Sequence, residues 1–271
     1  MPHLSFWLQL GAIASILPMF ANRGDSAAIQ GMRFPLLALV ALAGTGTVVA
    51  NLMADGWVSG FSPSLWVIVV ASLLIFLVGA MLDQRIRGLS LLVALYALPL
   101  SILATIWSKT AHIEKLPAIP DTWTLVHVAT AVMTFALLTL AACAGIAVLL
   151  RERALKRKSA TGLTNRLVRG LPSVHDAEKL EFQLLSATAA LLAVGIVSGM
   201  TVSLIHDGPF FVTDHKSILT LVAFAAILVM LIAHWRFGLR GRTAVRYLLG
   251  AHLALTLAYP GVKFVTDVLL V

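Results

Sequence analysis

Seven stretches of this chain run for eighteen residues or more without a Lys, Arg, Asp or Glu, and that constrains its fold more than any motif. They are Leu4–Ala21, Phe34–Leu52, Leu65–Leu82, Leu89–Ile106, Thr124–Leu150, Phe182–Ile205 and Ser217–His234. An eighth apolar stretch begins near Ala244, with Lys263 and Asp267 close to its C-terminal end. About 20 apolar residues in helical form cross a bilayer, because only a helix satisfies its own backbone groups where there is no water. The spacing therefore predicts an all-α, polytopic membrane helix bundle of about eight transmembrane helices. Composition agrees: 59% of the residues are hydrophobic and 12% charged, about half the charge of an ordinary soluble domain.

The net charge of +8 could suggest nucleic acid, so its distribution decides the matter. Taken alternately, the segments Asn22–Arg33, Asp83–Gly88, Arg151–Glu181 and Trp235–Arg246 carry sixteen basic and six acidic residues. The other set, Met53–Ser64, Trp107–Trp123, His206–Lys216 and the tail from Pro260, carries four basic and six acidic ones. That is the positive-inside asymmetry, and it predicts both termini outside, with the bilayer and not nucleic acid as partner of the basic loops. The first span has no Lys or Arg before it and Arg23 after it, so it reads as an uncleaved span.

The expected organisation is an N-terminal four-helix membrane region over 1–108, an outer linker over 109–123 carrying Pro117 and Pro120, and a C-terminal four-helix region over 124–271. Gly44-Thr45-Gly46-Thr47 in the second span suits close helix packing, or a break of the kind that lines a transport path. In the fifth span His127, Thr130, Thr134, Ala141 and Gly145 share roughly one face. Gly195, Gly199 and Ser203 form a small-residue ridge on the sixth. The single cysteine, Cys143, excludes an internal disulfide, and with no C-x-x-C pair a thiol–disulfide oxidoreductase is excluded too. No H-E-x-x-H, P-loop or G-x-S-x-G sequence supports a membrane protease, ATPase or esterase. No bond-making enzyme is expected.

The eight histidines are the chemistry that remains. Within a membrane span an imidazole is costly unless partnered, and its neutral form is the common axial ligand of haem iron. His127 lies about a turn inside the outer end of the fifth span, and His215 lies near the same face. His234 closes the seventh span on the inner side, with His252 two turns into the eighth. His3, His112 and His206 fall in or beside outer segments, and His175 in the basic loop. Each could instead be a hydrogen-bonded packing residue.

From about Trp123 onward the order of features resembles the integral-membrane cytochrome c assembly proteins, the CcsA/CcmC superfamily, and its YpjD/HemX-like branch in particular. The residues that carry this are Leu125-Val126-His127-Val128 opening a helix that ends in Arg151-Glu152-Arg153, then Leu171-Pro172-Ser173 ahead of a helix start at Glu178–Phe182. Asp214-His215-Lys216-Ser217, the run Ala233–Arg242, Leu257-Ala258-Tyr259 and Gly261-Val262-Lys263-Phe264 follow in order. The resemblance implies a multi-pass protein of the bacterial inner membrane that handles haem for cytochrome c assembly, with haem and cytochrome-assembly proteins as partners. It implies His127 as an outer haem-iron ligand, His234 as an inner one and Lys216 as a basic residue beside the outer pocket. The chain departs from the haem-delivery proteins in having no tryptophan in Gly208–Thr213 and no second histidine after the last core helix, where Val262 and Lys263 stand. His215 is then the residue available as a second outer ligand. A small secondary transporter, or a non-catalytic regulator of haem synthesis docking partners on Arg151–Glu181, are the alternative readings.

Overall fold

The long apolar runs all form helices. The computed structural model describes residues 2–21, 27–54, 56–108, 113–115, 121–156, 168, 170–205, 208 and 214–269. In chain order these make α1 (Pro2–Ile16), α2 (Pro18–Ala21), α3 (Ala27–Leu52), β1 (Val58–Gly60), α4 (Phe61–Leu82), α5 (Gln84–Arg87) and α6 (Ser90–Ile106). There follow β2 (Ile113–Lys115), α7 (Thr122–Lys156), α8 (Val174–Ile205), α9 (His215–Phe237) and α10 (Gly241–Thr256). Among the described residues, six helices are long and apolar enough to cross a membrane: Pro35–Leu52, Phe61–Leu82, Thr122–Lys156, Val174–Ile205, His215–Phe237 and Gly241–Leu269. The stretches Ser5–Phe20 and Ser90–Ile106 are apolar but shorter. The chain is a multi-pass, all-α membrane protein; among the described residues its only strands are the short antiparallel pair β1–β2, which lies partly within the expected linker.

Helix ends differ from the sequence expectation where charged residues continue a helix beyond the bilayer. α7 runs on past the expected end at Arg151-Glu152-Arg153 to Lys156, and α8 begins at Val174, ahead of the expected helix start at Glu178–Phe182. Ser173 explains the early start: its hydroxyl accepts from the Asp176 amide at 3.1 Å and donates to the Asp176 carboxylate at 2.6 Å, a reciprocal N-terminal cap. The last span passes into π-helical turns at Leu257–Gly261 and Val265–Leu269. Pro260 has no amide hydrogen to give an α-helical ladder, which accounts for the first of these.

The chain divides into two compact units. One comprises residues 1–82, 90–121 and 259–271, the other 83–89 and 122–258. In the first, Trp66 is fully buried among Ala12, Val48, Phe61, Leu65 and Ala104. A methyl group on Gly44 would stand 2.5 Å from the Ser15 hydroxyl, so the tandem glycine–threonine stretch serves close packing of α3 on α1, and α3 runs unbroken through it. The Phe61, Trp107 and Phe264 rings pack edge to face or tilted at 5.3–6.3 Å. Beside them Lys263 donates to the Ser59 hydroxyl at 2.7 Å and faces Asp267 at 3.9 Å, which gives a membrane-helix lysine its polar company.

In the second unit α7 is the central helix, with thirteen buried residues between Thr134 and Val148. Ala136, Ala141, Ala144 and Ala147 are fully buried, and small side chains of this kind let helices approach without a hydrophobic driving force from lipid. Gly145 faces Val245 and Leu248 of α10, whose methyls would lie 3.0–3.3 Å from an added Cβ. Cys143 is a free, buried thiol in this packing. At one end, the Arg151 guanidinium donates to the carbonyls of Leu171 and Pro172, tying the end of α7 to the start of α8. Asp83 caps α5 and pairs with Arg85, which also faces Asp176 at 3.9 Å. The hydrogen bonds from Arg85 hold the Asp83 carboxyl below its ordinary pKa.

Candidate functional site

The ridge on α8 meets the histidine of α7. His127 Nδ1 lies 3.1 Å from the Gly195 carbonyl oxygen and 3.1 Å from the Ser198 hydroxyl. A carbonyl oxygen only accepts, so Nδ1 carries the proton and donates it. The Ser198 hydroxyl itself donates to the same carbonyl at 2.9 Å, which leaves its oxygen to accept from Nδ1. The Nε2 lone pair is therefore free to coordinate, the arrangement in which a backbone carbonyl orients a metal-binding imidazole. Gly199 makes room for the ring: a Cβ there would sit 2.9 Å from Cε1. One turn further in, Thr130 lies against Gly195, and its hydroxyl donates back to the His127 carbonyl at 2.9 Å. The expected face of α7 thus divides, its N-terminal part meeting α8 and its C-terminal part, at Gly145, meeting α10.

His234 repeats the same tautomer at the other end of the unit. Its Nδ1 donates to the Leu239 carbonyl at 2.9 Å, and its ring stacks on Phe182 of α8 with centroids 4.2 Å apart and planes 24° from parallel. The turn that brings Leu239 back is closed by Gly238 in the left-handed conformation, φ 64°, which glycine adopts without strain. Phe182 and Ser198 are sixteen positions apart on α8. At 1.5 Å per residue the two histidines are separated by about 24 Å along that helix, so no single iron takes both.

His215 is the first residue of α9, with Lys216 beside it, and both are exposed. Because the C-terminal part of α9 packs at Phe182, its N-terminus runs toward the end of α8 that holds His127. Asp214 caps α9, accepting from the Ser217 amide at 2.8 Å. Burial works against its ionisation, but the hydrogen bonds from Ser217 outweigh this, and with Lys216 and His215 near they keep its carboxyl below the usual range. His252 packs on Phe135 at 5.4 Å, in the interior of the unit, and His175 is exposed. His112 and His206 lie outside the described residues, as do residues 157–167 of the basic loop and residues 209–213. Among the described residues no group of three or more histidine, cysteine or acidic side chains forms a metal cage.

Glu181 closes the basic segment Arg151–Glu181 in the sequence, at the expected helix start Glu178–Phe182, yet it is a buried residue well inside α8. It is 3% exposed on α8, immediately before Phe182, and its Oε1 has no hydrogen-bond partner among the described residues. The signal available in the sequence was its position as the last charge before an apolar run, which an extended helix carries inward.

A bundle of apolar helices that holds two imidazoles by Nδ1 hydrogen bonds to backbone carbonyls, one toward each end, is the arrangement of a multi-pass membrane protein. The chain belongs to the cytochrome c assembly protein family, which matches it over residues 6–270, and this membership supports a role in cytochrome c biogenesis. It is similar to an uncharacterized 28.8 kDa protein of Azospirillum brasilense, 39% identical over 257 residues that cover 95% of this chain and 93% of the relative. It is also similar to the inner membrane protein YpjD of Escherichia coli K12, 28% identical over 201 residues, 74% of this chain and 73% of that one. No solved structure matches it significantly.

Proposed function

We propose that this protein handles haem during cytochrome c biogenesis in the bacterial inner membrane, with His127 as the outer iron ligand. The observation that carries the reading is the fixed tautomer of His127, whose Nδ1 proton is committed to the Gly195 carbonyl while Nε2 keeps its lone pair. The donor set fits the group: neutral imidazole nitrogens suit haem iron, and a cation suits its propionates. Haem, when bound, supplies a redox-active iron and two carboxylates. His215 is the second outer ligand in this proposal, and Lys216 the counter-charge for a propionate. His234, oriented in the same way but at the other end of α8, serves a separate inner position. Family membership and the name of the YpjD relative support the inner membrane, and the charge asymmetry of the loops supports basic segments inside and both termini outside.

The test is a visible spectrum. The protein, expressed with a haem precursor and purified in mild detergent, is expected to show a Soret band that shifts on reduction, and His127→Ala is expected to lose most of it. Absence of a Soret band in haem-supplemented preparations, or an unchanged spectrum and stoichiometry in His127→Ala, overturns the reading.

A further inference from the structure

Thr243, Arg246, Tyr247, Gly250 and Ala254 recur on one face of α10, at spacings of three and four residues. They form one wall of a groove of about 490 Å³, and Val222, Ala223 and Ala226 of α9 supply the other. The groove is graded along its length. Its Thr243–Tyr247 end offers two hydroxyls and a guanidinium, while the walls from Gly250 to Ala254 offer only hydrogen, methyl and methylene surface. Arg246 and Ala254 are eight positions apart, roughly 12 Å along the helix axis. The polar end adjoins the basic turn of Arg236, Arg240 and Arg242, and the apolar end lies deeper in the span.

Two features say what the groove accepts. The side chains of Thr243, Arg246 and Tyr247 have no hydrogen-bond or ion-pair partner among the described residues, and no Asp or Glu lines the groove. A cation on a membrane helix draws an anion where no carboxylate is supplied. A Cβ built on Gly250 meets nothing within 4 Å, so the apolar half is open space against α10.

We infer that this groove binds an anionic phospholipid, its phosphate on Arg246 with the Thr243 and Tyr247 hydroxyls, and an acyl chain along Gly250, Ala254 and the α9 wall. The polarity gradient follows that of a lipid leaflet, with the charged end at the basic interface and the apolar end toward the bilayer centre. The absence of a lining carboxylate favours a lipid with net negative charge over one whose headgroup also carries a cation. This inference stands apart from haem handling.

The experiment uses delipidated protein in detergent, with phosphatidylglycerol or phosphatidylcholine of matched chains added and bound lipid counted by native mass spectrometry. The wild type is expected to retain phosphatidylglycerol about fivefold better, the worth of one basic residue facing an anionic headgroup. Arg246→Gln is expected to remove that preference. Gly250→Leu is expected to lower the occupancy of both lipids without unfolding, because its side chain enters open space and leucine favours the helix. The two variants are read independently, each against its own helical circular dichroism. Equal retention of the two lipids by the wild type overturns the inference. So does an unchanged preference in a folded Arg246→Gln, unchanged occupancy in a folded Gly250→Leu, or displacement of the lipid by inorganic phosphate or haem.

Discussion

Gly199→Ala probes the positioning of His127 without touching the imidazole. An added methyl would lie 2.9 Å from Cε1, 3.3 Å from Nδ1 and 3.6 Å from Nε2. Carbon atoms rest at about 3.5–4.0 Å, so the ring must retreat by roughly 0.6 Å or more. The Nδ1–Gly195 hydrogen bond begins at 3.1 Å. The same displacement along that bond carries it beyond about 3.5 Å, where it no longer holds. The loss costs about 1 kcal/mol of stability and releases the tautomer that keeps Nε2 bare. Removing such an orienting partner typically lowers metal affinity by about 10–100-fold. Haem titration followed at the Soret maximum should show that drop for Gly199→Ala. Gly46→Ala, where nothing lies within 4 Å of the added group, should titrate like the wild type. Wild-type affinity and spectrum in Gly199→Ala would refute the claim that this notch positions the ligand.

Three further outcomes follow from the packing. His234→Ala should lower stability by about 1–3 kcal/mol through loss of the Phe182 stack and the Leu239 hydrogen bond, whereas His234→Phe, which keeps a stacking ring, should lose less; thermal midpoints in detergent read both. Gly145→Ala should cost about 1–3 kcal/mol by overpacking Leu248 and Val245, and Gly145→Leu should abolish the monodisperse peak on size exclusion. The folded pKa of Asp83 lies below its ordinary 3.8, so the stabilisation from Arg85 is complete above that value and is lost as pH falls through the folded pKa. Asp83→Asn should therefore leave the slope of the thermal midpoint between pH 7 and 5 unchanged, and reduce its fall only below about pH 4.

Much of the fold was legible because a bilayer imposes one rule on every span. Seven uncharged runs and an eighth apolar one mark the eight apolar helical stretches, and the glycine ridge on α8 reads as a face for close approach, which it is for His127 and Thr130. The ends were less legible, since a charged helix leaving the membrane looks like a loop in hydropathy. The capping role of Ser173 and the continuation of α7 to Lys156 depend on local hydrogen bonds, not on apolar length. Glu181 was missed for the same reason. The β1–β2 pair, joining Val58–Gly60 to Ile113–Lys115 across more than fifty residues, has no periodicity long enough to announce it. At the site, the sequence singles out His127, His215 and His234 and sets His234 apart from the other two, but it does not show their hydrogen-bond partners or spacing. The roughly 24 Å that separates His127 from His234 along α8 follows only once their contacts with Ser198 and Phe182 are known.

The most direct measurement of the central claim is rescue of a cavity variant. His127→Gly removes the imidazole and leaves its place beside Gly195, Ser198 and Gly199. The protein is loaded with haem, and its ferric and ferrous spectra are recorded with and without added imidazole. Coordination by His127 Nε2 predicts a lost or displaced Soret band in the variant and its return when imidazole fills the vacated position. Full haem occupancy with an unchanged spectrum in His127→Gly, before any imidazole is added, would contradict the account.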